Sequence, residues 1–129
     1  MSPSLEDYLE AILAAAGAGP AARPAAIADR LRVRRPSVTG ALRVLAGRKL
    51  IRYEPYGAVR LTARGRRQAE EVRHRHQVLG AFLREALDVP AGRADREACG
   101  MEHAVSDDTV RRIEALVNRL RPPAAGGIP

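Results

Sequence analysis

Aromatic residues make up only 3% of the 129 positions, and tryptophan is absent. Strands favour aromatic and β-branched side chains, so a core drawn mainly from Ala, Leu, Val and Ile argues against an all-β fold and for packed helices. Cys99 is the single cysteine, which excludes an internal disulfide and suits a thiol kept in reducing surroundings. Lysine is confined to Lys49, so arginine carries almost all the positive charge. No apolar run approaches the roughly 18 residues that span a bilayer. The N-terminal MSPSLEDYLE carries acids where a secretory signal would be basic. A cytoplasmic protein with no membrane partner is expected.

With 46% hydrophobic residues, the chain can bury one core and a small second module. Its formal charge of +7 suits a surface that faces phosphate, and the planar fork of arginine fits both phosphate and guanine edges. A high-GC genome would also favour Arg and Ala codons, so charge alone does not decide for nucleic acid.

The periodicity predicts a mainly α fold. Ser4 caps a first helix, with Asp7 three positions later and Leu5, Tyr8, Leu9, Ile12, Leu13 and Ala16 at helical spacing, up to the break at Gly17-Ala18-Gly19-Pro20. Pro24 opens a short helix with Ile27, Ala28 and Leu31 inward, and Pro36 opens a third with Val38, Leu42 and Leu45 on one face. IRYEP and AVRLT, joined at Tyr56-Gly57, read as a hairpin. Helices followed by a hairpin make a winged helix-turn-helix over residues 1–70. Thr62 caps a long basic helix to about Leu87, with Ala69, Val72, His76, Leu79 and Leu83 along its apolar stripe. ADREACGMEHAVS is expected as one helix, and Ser106-Asp107-Asp108 as the cap of another. In that last helix Val110, Ile113, Val117 and Leu120 form a narrow seam that fits either a homodimer interface or ordinary core. Residues 71–121 thus form a helical metal-binding and dimerisation domain, and 122–129 a flexible tail.

A recognition helix enters the major groove by its N-terminal end, which calls for short polar side chains and arginine there. Arg34, Arg35, Ser37, Thr39 and Arg43 meet that need, and Arg60 in the wing, with Arg64, Arg66 and Arg67 just after it, can reach backbone or a neighbouring groove. The stretch from Arg30 to Arg52 holds no acid, and Glu54 is the first after it. A basic face that binds protein is the alternative; the cationic outward positions favour double-stranded DNA.

Cys99, Glu102 and His103 stand at i, i+3 and i+4, so one helix face offers a thiolate, a carboxylate and an imidazole. A first-row divalent cation needs several such donors at about 2 to 2.5 Å, and some must come from elsewhere. His76 lies on the inward stripe of the long helix, where an unpaired imidazole would be costly. Asp7 and Glu10 could add oxygens from the first helix, although an acid three residues after Ser4 is also what a capping box requires. Singly, a lone inward His or Cys reads as ordinary core; as a set they point to a metal. His74 faces nearly the opposite way from His76. No HExxH, CxxC, phosphate-binding glycine loop or Ser-His-Asp spacing is present, so catalysis has little to stand on.

The segments SLEDYLEAI from Ser4, RHQVLGAFL around His76 and EACGMEHAVSDD from Glu97 resemble the diphtheria toxin repressor family of metal-dependent transcriptional regulators, across nearly the whole chain. The resemblance implies that Cys99, Glu102 and His103 correspond to the ligand triplet of the dimerisation domain, and His76 to the histidine of the linking helix. Asp7 and Glu10 match the acids of the manganese branch, whereas iron-responsive relatives carry Met at the position of Asp7. Cys99 is typical of the iron branch. Gly80 and Asp95 stand where iron-type relatives place a Glu and a His of an ancillary site, which argues against that second site here. Larger members add a C-terminal SH3-like domain, which this sequence stops short of.

Hard oxygens at Asp7 and Glu10 suit Mn²⁺, while a soft thiolate at Cys99 favours Fe²⁺, Zn²⁺ or Co²⁺. The expected cofactor is therefore Mn²⁺ first and Fe²⁺ second, with Zn²⁺ or Co²⁺ as further fits. The implied function is a metal-activated regulator, as a repressor, of metal-homeostasis genes. Its homodimer would read a palindromic operator with half-sites about one helical turn apart. Two alternatives stay open: a metal-independent winged-helix regulator answering a small organic ligand, and a small metalloenzyme with Glu102 as general base.

Overall fold

The computed structural model describes residues 3–16, 21–54 and 57–122. Six helices and one hairpin follow in the order α1 Leu5–Ala16, α2 Pro24–Leu31, α3 Arg35–Gly47, β1 Ile51–Tyr53, β2 Val59–Leu61, α4 Ala63–Glu85, α5 Ala91–Met101 and α6 Asp107–Leu120. The mainly helical expectation is met. Two compact units divide between Arg73 and His74.

In the first unit α1 starts on a reciprocal capping box. The Ser4 amide donates to Asp7 Oδ2 at 2.8 Å, and the Asp7 amide donates back to Ser4 Oγ at 3.1 Å, satisfying donors that the first turn leaves orphaned. Tyr8, Leu9, Ile12 and Leu13 are buried along the inward side, and burial pushes the Tyr8 phenol pKa up. The break expected at Gly17–Pro20 lies outside the described residues. Pro24 and Pro36 fall in the first turns of α2 and α3, where a missing amide hydrogen costs nothing. Ile27, Val38, Leu42 and Leu45 meet α1 residues in one apolar cluster that also takes in Leu50, Ile51, Val59 and Ala69.

The wing is an antiparallel pair in the register Ile51↔Leu61, Arg52↔Arg60 and Tyr53↔Val59. Its second strand is pinned from the other side by a bridge to Ala22, whose amide and carbonyl exchange hydrogen bonds with Val59 at 2.8 and 2.7 Å. Of the expected turn, Tyr56 lies outside the described residues and Gly57 takes a φ of 82°, a left-handed value that favours glycine. Thr62 then caps α4, its Oγ1 accepting from the Gly65 amide at 3.0 Å.

The second unit has a smaller apolar cluster: Leu79, Leu83, Ala94 and Ala98 are buried, with Phe82, Val89, Met101 and Ile113 packed against them. Ser106 caps α6 by accepting from the Thr109 amide at 3.1 Å. Two expectations need correction. The long helix ends at Glu85, short of the exposed Leu87. The helix expected to run through ADREACGMEHAVS ends at Met101, leaving Glu102 as its C-cap and His103 in the turn beyond. The α6 seam is half buried, with Val110 and Val117 inward and Leu120 53% exposed, which leaves both the interface and the core reading open. Among the described residues no helix is long and apolar enough to cross a membrane.

Candidate metal centre and nucleic-acid interface

The end of α5 is held by an arginine that no local pattern marks. Arg75, on α4, donates from Nε and Nη2 to the Glu102 carbonyl at 3.0 and 2.7 Å, from Nη2 to the Val105 carbonyl, and from Nη1 to Asp107. One guanidinium thereby collects two carbonyls of the turn and a carboxylate in the first turn of α6. Carbonyls satisfied this way need not continue a helix, which is why α5 stops although EHAV could extend it.

The turn so fixed places the Glu102 side chain at 0% exposure, the only charged side chain among the described residues that is buried. Burying a carboxylate without partners costs several kcal/mol by order of magnitude. Its partners here are imidazoles: His76 Nδ1 lies 2.9 Å from Oε2, and His103 Nε2 lies 3.4 Å from Oε1. The second contact is not a hydrogen bond, and Oε1 has no hydrogen-bond partner among the described residues. A buried carboxylate with one oxygen left in that state, and with an imidazole nitrogen facing each of its oxygens, fits a divalent cation by donor type and by its unmet demand for a positive partner. The other ring nitrogen of His76 is also engaged: Nε2 lies 2.7 Å from Asp95 Oδ1.

Three of the predicted metal residues, His76, Glu102 and His103, are thus brought together. Cys99 is exposed on α5, one turn before Glu102. Asp7 commits one oxygen to the capping box, as its local reading required, and Glu10 is partly exposed on α1. His74 turns to Glu114 at 3.3 Å, away from His76 as its spacing implied. Sequence reasoning missed Arg75, one arginine among many on a basic helix. It read Asp95 only as a replaced ligand; the signal available for Asp95 was its helical spacing from Cys99 and Glu102 at i, i+4 and i+7.

In the first unit Arg34, Arg35, Ser37, Thr39 and Arg43 are all exposed at or along α3, opposite its buried face. Thr39 Oγ1 donates back to the Arg35 carbonyl at 3.1 Å. Arg60 is half-exposed and donates to Glu54 Oε1 at 2.6 Å, so the wing arginine is held by an acid on its own hairpin. Tyr53, not singled out by sequence, is 46% exposed on β1. Partial burial raises its phenol pKa and the Arg43 guanidinium of α3 pulls it back.

Residues 1–59 match the N-terminal DNA-binding domain of iron-dependent repressors, and residues 62–124 match the metal-binding and dimerisation domain of the same family. The Escherichia coli transcriptional regulator MntR is 41% identical over 106 residues, covering 82% of this chain and 68% of the relative. An uncharacterized HTH-type transcriptional regulator of Methanocaldococcus jannaschii is 31% identical over 122 residues, covering 94% and 98%. A solved manganese-dependent transcriptional repressor in complex with manganese superposes with a TM-score of 0.82 at 31% identity, covering 97% of this chain and 61% of that one. This chain therefore spans about six tenths of that solved regulator's length. The resemblance read from Ser4, His76 and Glu97 onward is upheld, as is the absence of an enzyme's role from the family. The chain belongs to the iron-dependent repressor family of metal-dependent, DNA-binding transcriptional regulators.

Proposed function

We propose that this chain is a cytoplasmic, metal-activated repressor whose homodimer reads a palindromic operator at metal-homeostasis genes. The observation that carries the reading is Glu102: a fully buried carboxylate with one oxygen unmatched, set between His76 and His103. His76, Cys99, Glu102 and His103 form the ligand set, with Asp7 and Glu10 of α1 as further oxygen donors. The bound cation supplies positive charge that offsets the buried carboxylate and ties its ligands together. Arg34, Arg35, Ser37, Thr39 and Arg43 read the operator, with Arg60 in the wing.

Mn²⁺ ranks first and Fe²⁺ second. Carboxylates and imidazoles suit Mn²⁺, and solved regulators named for manganese support that order; the thiol of Cys99 keeps Fe²⁺, Zn²⁺ and Co²⁺ in contention. Fluorescence anisotropy on palindromes from the chain's own promoter region, titrated with each metal beside a Glu102→Ala variant, tests the reading. Operator affinity should rise tenfold or more with metal, a coupling of about 1.4 kcal/mol, and the variant should lose that response while circular dichroism shows its helices intact. Equally tight binding in chelator would instead favour a regulator that answers an organic ligand.

A further inference from the structure

His76 is held at both ring nitrogens by carboxylates of unlike character. Glu102, facing Nδ1, is fully buried with one oxygen unmatched; Asp95, facing Nε2 at 2.7 Å, has a side chain that is 74% exposed. Ionised carboxylates only accept hydrogen bonds, so the two contacts alone do not choose between the ring nitrogens; a cation held beside Glu102 would take the lone pair on that side, and the hydrogen would stay on Nε2 for Asp95 to accept. Nδ1 is then the nitrogen with a lone pair to give on the Glu102 side. Without Asp95 the neutral ring loses the acceptor that favours a hydrogen on Nε2 and could take either tautomer.

We infer that Asp95 is a positioning residue for the metal centre: by accepting the Nε2 hydrogen it fixes the tautomer and orientation of His76, making Nδ1 the ligand nitrogen and a stronger base. This rests on the metal reading proposed above and adds a residue outside the predicted ligand set. The physical pattern is a carboxylate–histidine–metal relay, in which an outer carboxylate typically changes metal affinity about 10- to 100-fold. α5 can carry such a residue because Asp95, Cys99 and Glu102 fall at i, i+4 and i+7, on one side of the helix. Its neighbour Ala94 is turned into the apolar cluster instead.

Calorimetric titration with Mn²⁺ and with Co²⁺, the latter also followed by its visible absorption, separates the cases across wild type, Asp95→Ala, Asp95→Asn and His76→Gln. Asp95→Ala should bind at least tenfold more weakly at unchanged stoichiometry, with a shifted Co²⁺ spectrum. Asp95→Asn, which keeps an acceptor oxygen without the charge, should lose less. Melting temperatures in chelator should be equal for the Asp95 variants and wild type, because an exposed side chain adds little to the fold. Wild-type affinity in both Asp95 variants, with binding lost in His76→Gln, would overturn the role of Asp95 and leave the metal reading intact. Unchanged binding in His76→Gln would sink the metal reading itself. The loss of one metal equivalent in Asp95→Ala would make Asp95 a direct ligand, and a fall in its chelated melting temperature would make it a structural residue; either overturns the inference.

Discussion

The two units are held together by different forces. The core of the first is continuous and apolar from Tyr8 and Leu9 through Ile27, Val38, Leu42 and Leu45 to Val59. In the second, two of the four buried cluster residues are alanines, and the most deeply buried charged group is Glu102. Apolar burial contributes about 25 cal/mol per Å² and has no preferred direction, so the first unit is stabilised by area. The second leans on directional contacts from Arg75 and His76 to the turn after α5. A unit built that way has a geometry that depends on charge, which suits a module that must answer a cation. A platform for reading DNA instead benefits from a shape that does not vary.

The contrast is tested most severely at Gly65. A Cβ there would lie 1.9 Å from the Leu50 carbonyl oxygen, because the first turn of α4 passes directly over the end of the segment that follows α3. No side chain can yield, since the obstacle is backbone. Gly65→Ala should destabilise the first unit by about 3 kcal/mol or more, read by denaturant unfolding. Adding metal should not restore it, because the fault is steric; recovery in Mn²⁺ would show that the first unit is no more rigid than the second.

Arg75→Ala is the corresponding cut in the second unit. It removes the donors that hold the Glu102 and Val105 carbonyls and the partner of Asp107, at a side chain only 20% exposed. Hydrogen bonds to a charged group contribute about 1.5 to 3 kcal/mol each and are not additive, so a loss of about 2 kcal/mol is expected. Hydrogen exchange should place it in α5 and α6 while α1 to α3 stay protected. An apolar second unit would hardly notice the change.

What could be read from sequence follows the same division. The Ser4–Asp7 box, the prolines opening α2 and α3, the caps at Thr62 and Ser106 and the inward stripe of α3 are all local, with partners three or four residues apart. The fold of the first unit and the outward arginines were legible for that reason. The candidacy of Cys99, Glu102 and His103 was legible in composition, because three metal-binding residue types within one turn are rarely accidental, and His76 joined them on its place in the inward stripe of α4. The end of α5 was not: it depends on Arg75 reaching 27 residues along the chain to Glu102, and nothing in ARGRRQAEEVRHRHQ distinguishes that arginine from its neighbours. Asp95 was illegible as a partner of His76 for the same reason, since its contact crosses 19 residues.

The gentlest probe returns to a glycine of the first unit. Gly40 sits in the middle of α3 on its exposed face, and a Cβ there would meet nothing within 4 Å. It therefore has no packing reason among the described residues, in contrast to Gly65, and it carries the usual entropic cost of glycine in a helix interior, about 0.5 to 1 kcal/mol relative to alanine. Gly40→Ala should accordingly stabilise the free protein by about that amount, raising its melting temperature by a few degrees. Its neighbours Ser37, Thr39 and Arg43 are the proposed operator contacts, so the same variant should bind DNA no more tightly despite the stiffer helix. A gain in stability with a loss of operator affinity would mean that the open space beside Gly40 is kept for DNA. A gain in both would mean that α3 is limited by its own helix propensity, and the rigidity ascribed to the first unit would need to be credited to its core alone.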